Sequence, residues 1–114
     1  MIKGIRGAIT VDENSVEALK LATIELLTAM FKENNLTQEK ISHIIFTTTK
    51  DINVAFPAKF ARIDMGLTKT AMMCFNEIDV PEALEKCLRV LIVTNCDANF
   101  KPQFVYLKGA KNLR

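Results

Sequence analysis

Arginine is the residue type whose placement in this sequence points to chemistry. The 114 residues include eleven lysines but only four arginines, Arg6, Arg62, Arg89 and Arg114. A guanidinium presents a planar fork of donors that binds a carboxylate at two points and stays charged when partly desolvated. Arg89 lies within an apolar run, residues 88–94, where an unpaired charge is costly. It therefore needs either an anionic ligand or a carboxylate of the protein as its partner.

Three further basic residues, in two places along the chain, favour an anion site. Arg6 lies between Gly4 and Gly7, whose missing side chains leave room for a ligand beside the guanidinium. An ordinary strand end over a turn is the alternative. Lys59 and Arg62 are predicted to share a face near the positive N-terminal end of a helix, which attracts anions. A solvated helix face is the alternative there.

Few residues are candidates for other kinds of catalysis. His43 is the single histidine, which argues against Ser-His-Asp and Cys-His catalysis and against a histidine-rich metal site. The three cysteines lack C-x-x-C spacing and are interpreted as reduced thiols. Glu77 falls in a predicted loop, and Tyr106 is the only tyrosine; an exposed acid and a core aromatic residue are the alternatives. The residues alone predict a small anionic ligand and do not name a reaction.

Composition predicts one folded domain spanning residues 1–114. Hydrophobic residues make up 49% and charged residues 25% of the chain, the balance of a globular protein. The net charge is only +2 and basic residues do not cluster, so we expect no nucleic-acid partner. We find no apolar stretch of signal-peptide or membrane-spanning length, so we expect a cytoplasmic protein without a membrane segment. So short a chain is expected to need a second copy to complete a deep cleft.

Alternating and β-branched segments predict five strands, at residues 2–11, 44–48, 71–75, 88–94 and 104–107. In the first strand Arg6 shares a face with small residues, whereas the other face carries the apolar positions. In the fourth strand Arg89 faces the same way as Leu91 and Val93, on a surface that we expect to be buried. These strands would place both arginines on sheet faces.

Helical spacing predicts the remaining elements. A long helix begins at an Asn14 cap that is paired with Glu17 and ends near residue 34. Residues 36–40 could form one further turn. A second helix runs from Pro57 to about residue 65, and a third, capped by Asp79 with Glu82, covers 79–84. The predicted fold class is α/β (α+β), a mixed β-sheet with helices on the outside.

Several segments taken together resemble a known family. They are Gly4-Ile5-Arg6-Gly7-Ala8, Phe56-Pro57-Ala58-Lys59 with Arg62, Cys74 with Glu77 and Asp79-Val80, Cys87-Leu88-Arg89-Val90, and Val105-Tyr106-Leu107. Their order and spacing along the whole chain are similar to those of the monofunctional trimeric chorismate mutases, as distinct from the all-helical ones. The resemblance implies a Bacillus chorismate mutase-like fold, a trimer that forms a pseudo-α/β barrel, and active sites at subunit interfaces.

The resemblance also implies a reaction, the intramolecular Claisen rearrangement of chorismate to prephenate in phenylalanine and tyrosine biosynthesis, with no cofactor, metal or covalent intermediate. Arg89 would donate to the ether oxygen of the breaking bond and to a carboxylate, and Arg6 would hold a carboxylate in the reactive, folded conformer. Glu77 would accept from the ring hydroxyl with Cys74 nearby. Tyr106 would bind the side-chain carboxylate.

The remaining site residues implied by the resemblance belong to the adjacent subunit or to the entrance. The adjacent subunit would supply Phe56, Ala58, Lys59, Met72 and Met73, and the entrance would be closed by Arg62, Leu113 and Arg114. The Met72-Met73 pair departs from the family, which more usually has small or β-branched residues ending in threonine there. We therefore expect altered affinity and the same reaction.

Two other functions are compatible with the arginines. One is an imine or enamine deaminase of the small trimeric kind, against which the spacing of Cys74 and Glu77 argues. The other is a non-catalytic regulatory module that binds a small anion at a subunit interface. Such a module would have no need for Arg89 against an ether oxygen.

Overall fold

The computed structural model describes residues 1–113 and contains one mixed sheet. Its strands are β1 (Ile2–Thr10), β2 (Ile41–Thr48), β3 (Ala71–Asn76), β4 (Cys87–Asn95) and β5 (Val105–Leu107). They lie in the order β3-β2-β4-β1-β5. The central strand β4 is antiparallel to β1 and β2, whereas β3 pairs parallel to β2 and β5 parallel to β1. The predicted mixed sheet is confirmed, and all five predicted strands exist.

Two α-helices, α1 (Val16–Asn34) and α2 (Pro57–Asp64), cover one face of the sheet. Apolar side chains of β1, β2 and β4 alternate toward them, as the period-2 pattern predicts. Gly7 of β1 also faces α1, because a Cβ there would clash with the Met30 sulfur. Gly7 thus permits close helix packing and does not make room for a ligand. The core is formed mainly by Ile5, Ile9, Leu19, Leu26, Met30, Ile44, Phe46, Leu88 and Ile92, all fully buried.

The N-cap of α1 differs from the prediction by one residue. Ser15, not Asn14, caps the helix, and its hydroxyl accepts a hydrogen bond from the Ala18 backbone at 3.1 Å. The Asn14 side chain instead donates to the Asn53 side chain. Both residue types are good caps, so local pattern alone did not distinguish them.

The helix predicted at 79–84 is wrong. This segment is an irregular loop with turns, in which Glu82 has φ 66° and Lys86 has φ 46°. Such left-handed backbone conformations cannot continue a right-handed helix. The loop joins the end of β3 to the start of β4, and Glu77 lies at its beginning. The short turn predicted at 36–40 is confirmed as a 3₁₀ helix, Gln38–Lys40.

The opposite side of the sheet, which we call the open face, carries no α-helix among the described residues. Arg89, Leu91 and Val93 do share this face, but they are only half-buried. The prediction that their surface is buried is therefore wrong for the single chain, since both helices pack on the other side. Large apolar side chains on the open face remain accessible, with Met73 61% and Phe75 47% exposed. No described helix is long and apolar enough to span a membrane.

Candidate active site

A cavity of about 260 Å³ lies on the open face, over β1, β2, β4 and β5. The strand register explains it, because Arg89 of β4 lies opposite Ala8 of β1 and Thr47 of β2, and Ala8 lies opposite Tyr106 of β5. Residues paired in this way point to the same face. The cavity brings together five of the predicted site residues, namely Arg6, Glu77, Arg89, Tyr106 and Leu113.

Arg89 has the partner that its apolar strand requires. Its Nε lies 3.4 Å from Glu77 Oε2, yet Nε is buried and makes no hydrogen bond. The two interpretations left open by the sequence, a carboxylate or a pocket, therefore both hold, because Arg89 lines the cavity and pairs loosely with a carboxylate. The guanidinium keeps donor capacity for a ligand.

The Tyr106 hydroxyl is also buried without a hydrogen-bond partner. Within residues 1–113, this hydroxyl and Arg89 Nε are the two buried side-chain atoms that lack one. Both residues line one cavity. A buried polar group left without a partner costs about 1–3 kcal/mol. A ligand bound in this cavity would therefore lie beside two side chains whose hydrogen-bonding capacity is not fully used.

Glu77 is held in place by β2. Its backbone N–H donates to the Thr48 carbonyl at 2.9 Å, and its Oε2 accepts from the Thr47 hydroxyl at 2.5 Å. Thr47 is not among the residues that the sequence predicts for this site. Its type and period-2 position place it on one face of β2 with Ile45, but only the pairing of β2 with β4 shows that this is the face of Arg89.

A hydrogen-bonded clamp fixes the start of β4, close to Arg89. The Asp51 carboxylate accepts from the Lys86 backbone at 3.0 Å and from the Thr49 hydroxyl at 2.5 Å, and Thr49 accepts in turn from the Cys87 backbone. Burial acts to raise the pKa of Asp51, but the hydrogen bonds from Thr49 and Lys86 outweigh it and leave the pKa lowered. The carboxylate stabilises the folded state in its charged form.

Asp51→Asn is expected to lower the free energy of unfolding at neutral pH by about 1 kcal/mol, because the amide accepts more weakly than the carboxylate. A lowered folded pKa means that the stabilisation is present above the ordinary value of 3.8 and is lost as pH falls through the folded pKa. The difference in free energy of unfolding between Asp51→Asn and the parent protein should therefore become smaller as the pH falls from about 5 to about 2. Urea unfolding at one fixed protein concentration measures it.

Asp12→Asn is the matched control for this clamp. The Asp12 side chain is 79% exposed beside Lys108. The substitution is therefore expected to lower the free energy of unfolding by less than about 0.5 kcal/mol, both at neutral pH and in the acid range. If the loss in free energy of unfolding caused by Asp51→Asn stays constant across the acid range, the proposed role of the charged Asp51 carboxylate is contradicted.

The other predicted site residues lie away from this cavity within the single chain. Phe56 and Cys74 line a separate hollow between the start of α2 and β3, and Phe56 is 72% exposed. Ala58 and Lys59 belong to the first turn of α2, whereas Met72 and Met73 lie on β3. The structure thus divides the predicted site into two groups on different parts of one chain.

Three further predicted site residues need separate comment. Within the single chain Cys74 faces away from the cavity that Glu77 lines, because it pairs with Phe46 in β2 and packs toward the helices; its place in the site stays a prediction. Burial raises the pKa of its thiol, so at neutral pH it is a protonated, weak nucleophile. Arg62 lies in the last turn of α2, away from the positive end. Arg114 lies outside the described residues.

The family model for type I chorismate mutases matches residues 2–114. The chain belongs to this family. It is 40% identical over 116 residues to a chorismate mutase of Thermus thermophilus, which covers all of the chain and 94% of the relative. It is 34% identical over 115 residues to one of Bacillus subtilis, covering all of the chain and 91% of that protein.

A solved structure agrees with the sequence relatives. The fold matches a chorismate mutase from Clostridium thermocellum with a TM-score of 0.91 and 50% sequence identity, over 96% of the chain and 97% of the other. The predicted fold class and family are confirmed, and the all-helical type is excluded. Family, relatives and fold together show the function of a chorismate mutase, an isomerase acting on chorismate. This decides between the three functions considered from the sequence.

Proposed function

We propose that Arg89, Glu77 and Arg6 catalyse the rearrangement of chorismate to prephenate by electrostatic stabilisation, in a site that a second subunit completes. The observation that carries this assignment is the pair of buried donors without partners, Arg89 Nε and the Tyr106 hydroxyl, in one cavity beside a carboxylate. Such a cavity is preorganised for a ligand that brings several acceptor oxygens and some positive charge. Chorismate in its transition state has both.

The charges of the cavity match the charges that the reaction develops. The ether bond lengthens before the carbon-carbon bond closes, so negative charge grows on the ether oxygen and positive charge on the ring. Arg89 supplies donors for the oxygen, and the Glu77 carboxylate, 3.4 Å from Arg89 Nε, favours the electron-poor ring and accepts from its hydroxyl. The rearrangement transfers no proton to the protein. Its rate therefore depends on fixed charges and on geometry.

Arg6 and Tyr106 bind the substrate carboxylates. Arg6 lies on the open face of β1 and lines the cavity, with its side chain accessible. Its fork can grip a carboxylate at two points and hold the folded, reactive conformer. Leu113 packs with Tyr106 on a small cluster that contains Ala8 and Cys87, which puts the end of the described chain at the cavity. Arg62 and Arg114 would complete the entrance.

The adjacent subunit supplies the second group of site residues. Phe56, Ala58, Lys59, Met72 and Met73 lie on the other side of the sheet or at its far edge, so they cannot reach the Arg89 cavity of their own chain together. An accessible apolar sheet face of this extent is typical of a protein interface. Three copies packed through their open faces would place the α2 and β3 group of one chain against the Arg89 cavity of the next.

Two broader expectations belong to the same proposal. Residues 1–114 form a single domain, which the union of all five described strands in one sheet supports. A cytoplasmic location stays a prediction from the sequence, supported by three cysteines that are free in the structure.

The purified protein is expected to deplete chorismate and to form an equal amount of prephenate. The loss of the ultraviolet absorbance of chorismate measures the rate, and chromatography identifies the product. A matched sample without protein gives the uncatalysed rate. Failure to exceed that rate at saturating chorismate, or formation of a different product, would refute the proposed function.

A further inference from the structure

Thr47 occupies the position between the two charged residues of the cavity. It lies on the open face of β2, opposite Arg89 in β4, and lines the same cavity. Its hydroxyl donates to Glu77 Oε2 at 2.5 Å. The same oxygen lies 3.4 Å from Arg89 Nε, which makes no hydrogen bond with it. One carboxylate oxygen thus accepts a short hydrogen bond from a neutral hydroxyl and has a longer contact, without a hydrogen bond, to a cation.

An arginine and a carboxylate at this separation ordinarily favour a close two-point pair. In such a pair, Glu77 would occupy donors of Arg89 and neutralise part of its charge, so fewer donors would remain for the ether oxygen of the substrate. In the structure Arg89 Nε instead lies 3.4 Å from Glu77 Oε2 and makes no hydrogen bond with it. The Thr47 hydroxyl compensates the Glu77 oxygen without adding charge, and it anchors that oxygen to β2.

We propose that Thr47 is a positioning residue that keeps the Glu77 carboxylate from closing onto Arg89. It thereby leaves the Arg89 donors and the second Glu77 oxygen free for the substrate. This inference rests on the proposed roles of Glu77 and Arg89. Arg89 and Glu77 act on opposite ends of one polarised transition state. The neutral hydroxyl of Thr47 sets the distance between these two charges.

Thr47→Val removes the hydroxyl and keeps the β-branched shape that suits a strand. The expected result is a loss of about 10-fold in kcat, equivalent to about 1.4 kcal/mol, with KM changed by less than about 3-fold. Thr47→Ser keeps the hydroxyl and is expected to retain most of kcat. Should the valine variant fail to fold, Thr47→Ala carries the same expectation, because it also lacks the donor.

A double-mutant cycle with Glu77→Ala separates positioning from other roles. If Thr47 acts through Glu77, then Thr47→Val should change kcat by less than about 2-fold once the Glu77 carboxylate is absent. If Thr47 contacts the substrate directly or only supports the fold, the loss of about 10-fold should appear in both backgrounds. That second result would overturn the proposal.

Kinetics of the parent protein test the proposed function, whereas kinetics of the Thr47 variants test the positioning role of Thr47. Absence of turnover in the parent protein would refute the proposed function itself. Turnover in the parent together with an unchanged kcat in Thr47→Val would refute only the positioning role. A loss in Thr47→Val that Thr47→Ser does not share, and that vanishes beside Glu77→Ala, would establish it.

Discussion

Arg89→Lys is expected to lower kcat by at least about 100- to 1000-fold, the effect of removing a preorganised donor from a developing negative charge. Lysine keeps the positive charge but is a single ammonium that cannot reproduce the guanidinium fork. In this cavity it would also sit within reach of Glu77, whose carboxylate lies 3.4 Å from Arg89 Nε. Steady-state kinetics with chorismate give kcat and KM, and the mass in solution shows whether the assembly is intact.

Arg6→Lys is the matched comparison for this experiment. It makes the same chemical change at a residue that we place on a substrate carboxylate and not on the breaking bond. It is therefore expected to raise KM and to lower kcat by much less than Arg89→Lys does, because Arg6 holds the reactive conformer but does not contact the breaking bond. A near-normal kcat in Arg89→Lys, or equal kcat losses in both variants, would remove Arg89 from its proposed role at the ether oxygen.

Phe75→Asp is expected to abolish the proposed trimer and, with it, nearly all activity. Phe75 lies on the open face of the edge strand β3 and is 47% exposed in the single chain, so an aspartate there need not disturb the fold of one subunit. In a trimer formed through the open faces, three carboxylates would be buried in apolar contacts at a large desolvation cost. Sedimentation measures the mass, and circular dichroism measures the fold.

Leu21→Asp provides the control for Phe75→Asp. Leu21 is also a large apolar residue, 67% exposed, but it lies on α1, on the helix side of the sheet. Its variant is expected to keep the parent mass and kcat. A Phe75→Asp variant that remains trimeric would show that the open face is not the interface. A folded Phe75→Asp monomer with parent activity would show that the site needs no second subunit.

The local sequence pattern was sufficient to predict most strands and helices and the sheet faces on which Arg6 and Arg89 lie. Alternation placed Arg6 on one face of β1 and Arg89 on one face of β4, because successive residues of a strand point to opposite sides wherever the strand lies. Pro57 marked the start of α2, and Gly66, with φ 70°, follows the end of this helix. The same kind of argument failed at 79–84, where Asp79 and Glu82 look like caps but the loop adopts left-handed backbone conformations at Glu82 and Lys86.

The composition of the site depended on contacts between distant parts of the chain. Thr47 and Glu77 are 30 positions apart and meet because the segment after β3 returns to the end of β2. Alternation separates Thr47 from Thr48, but no local signal shows which face of β2 meets Arg89. The Thr49 hydroxyl donates to Asp51 instead. Cys74, three positions before Glu77, faces the opposite side of the sheet.

The sequence by itself determined that scarce arginines lie in apolar and glycine-flanked strands of a mixed α/β domain, and its ordered motifs indicated the family. Only the tertiary structure decided which partners they have. It placed Arg89 beside Glu77, left Arg89 Nε and the Tyr106 hydroxyl without hydrogen bonds, and put both on the sheet face that the helices do not cover. The physical reason is that side-chain direction follows from local geometry, whereas register, strand order and burial follow from pairings between distant segments.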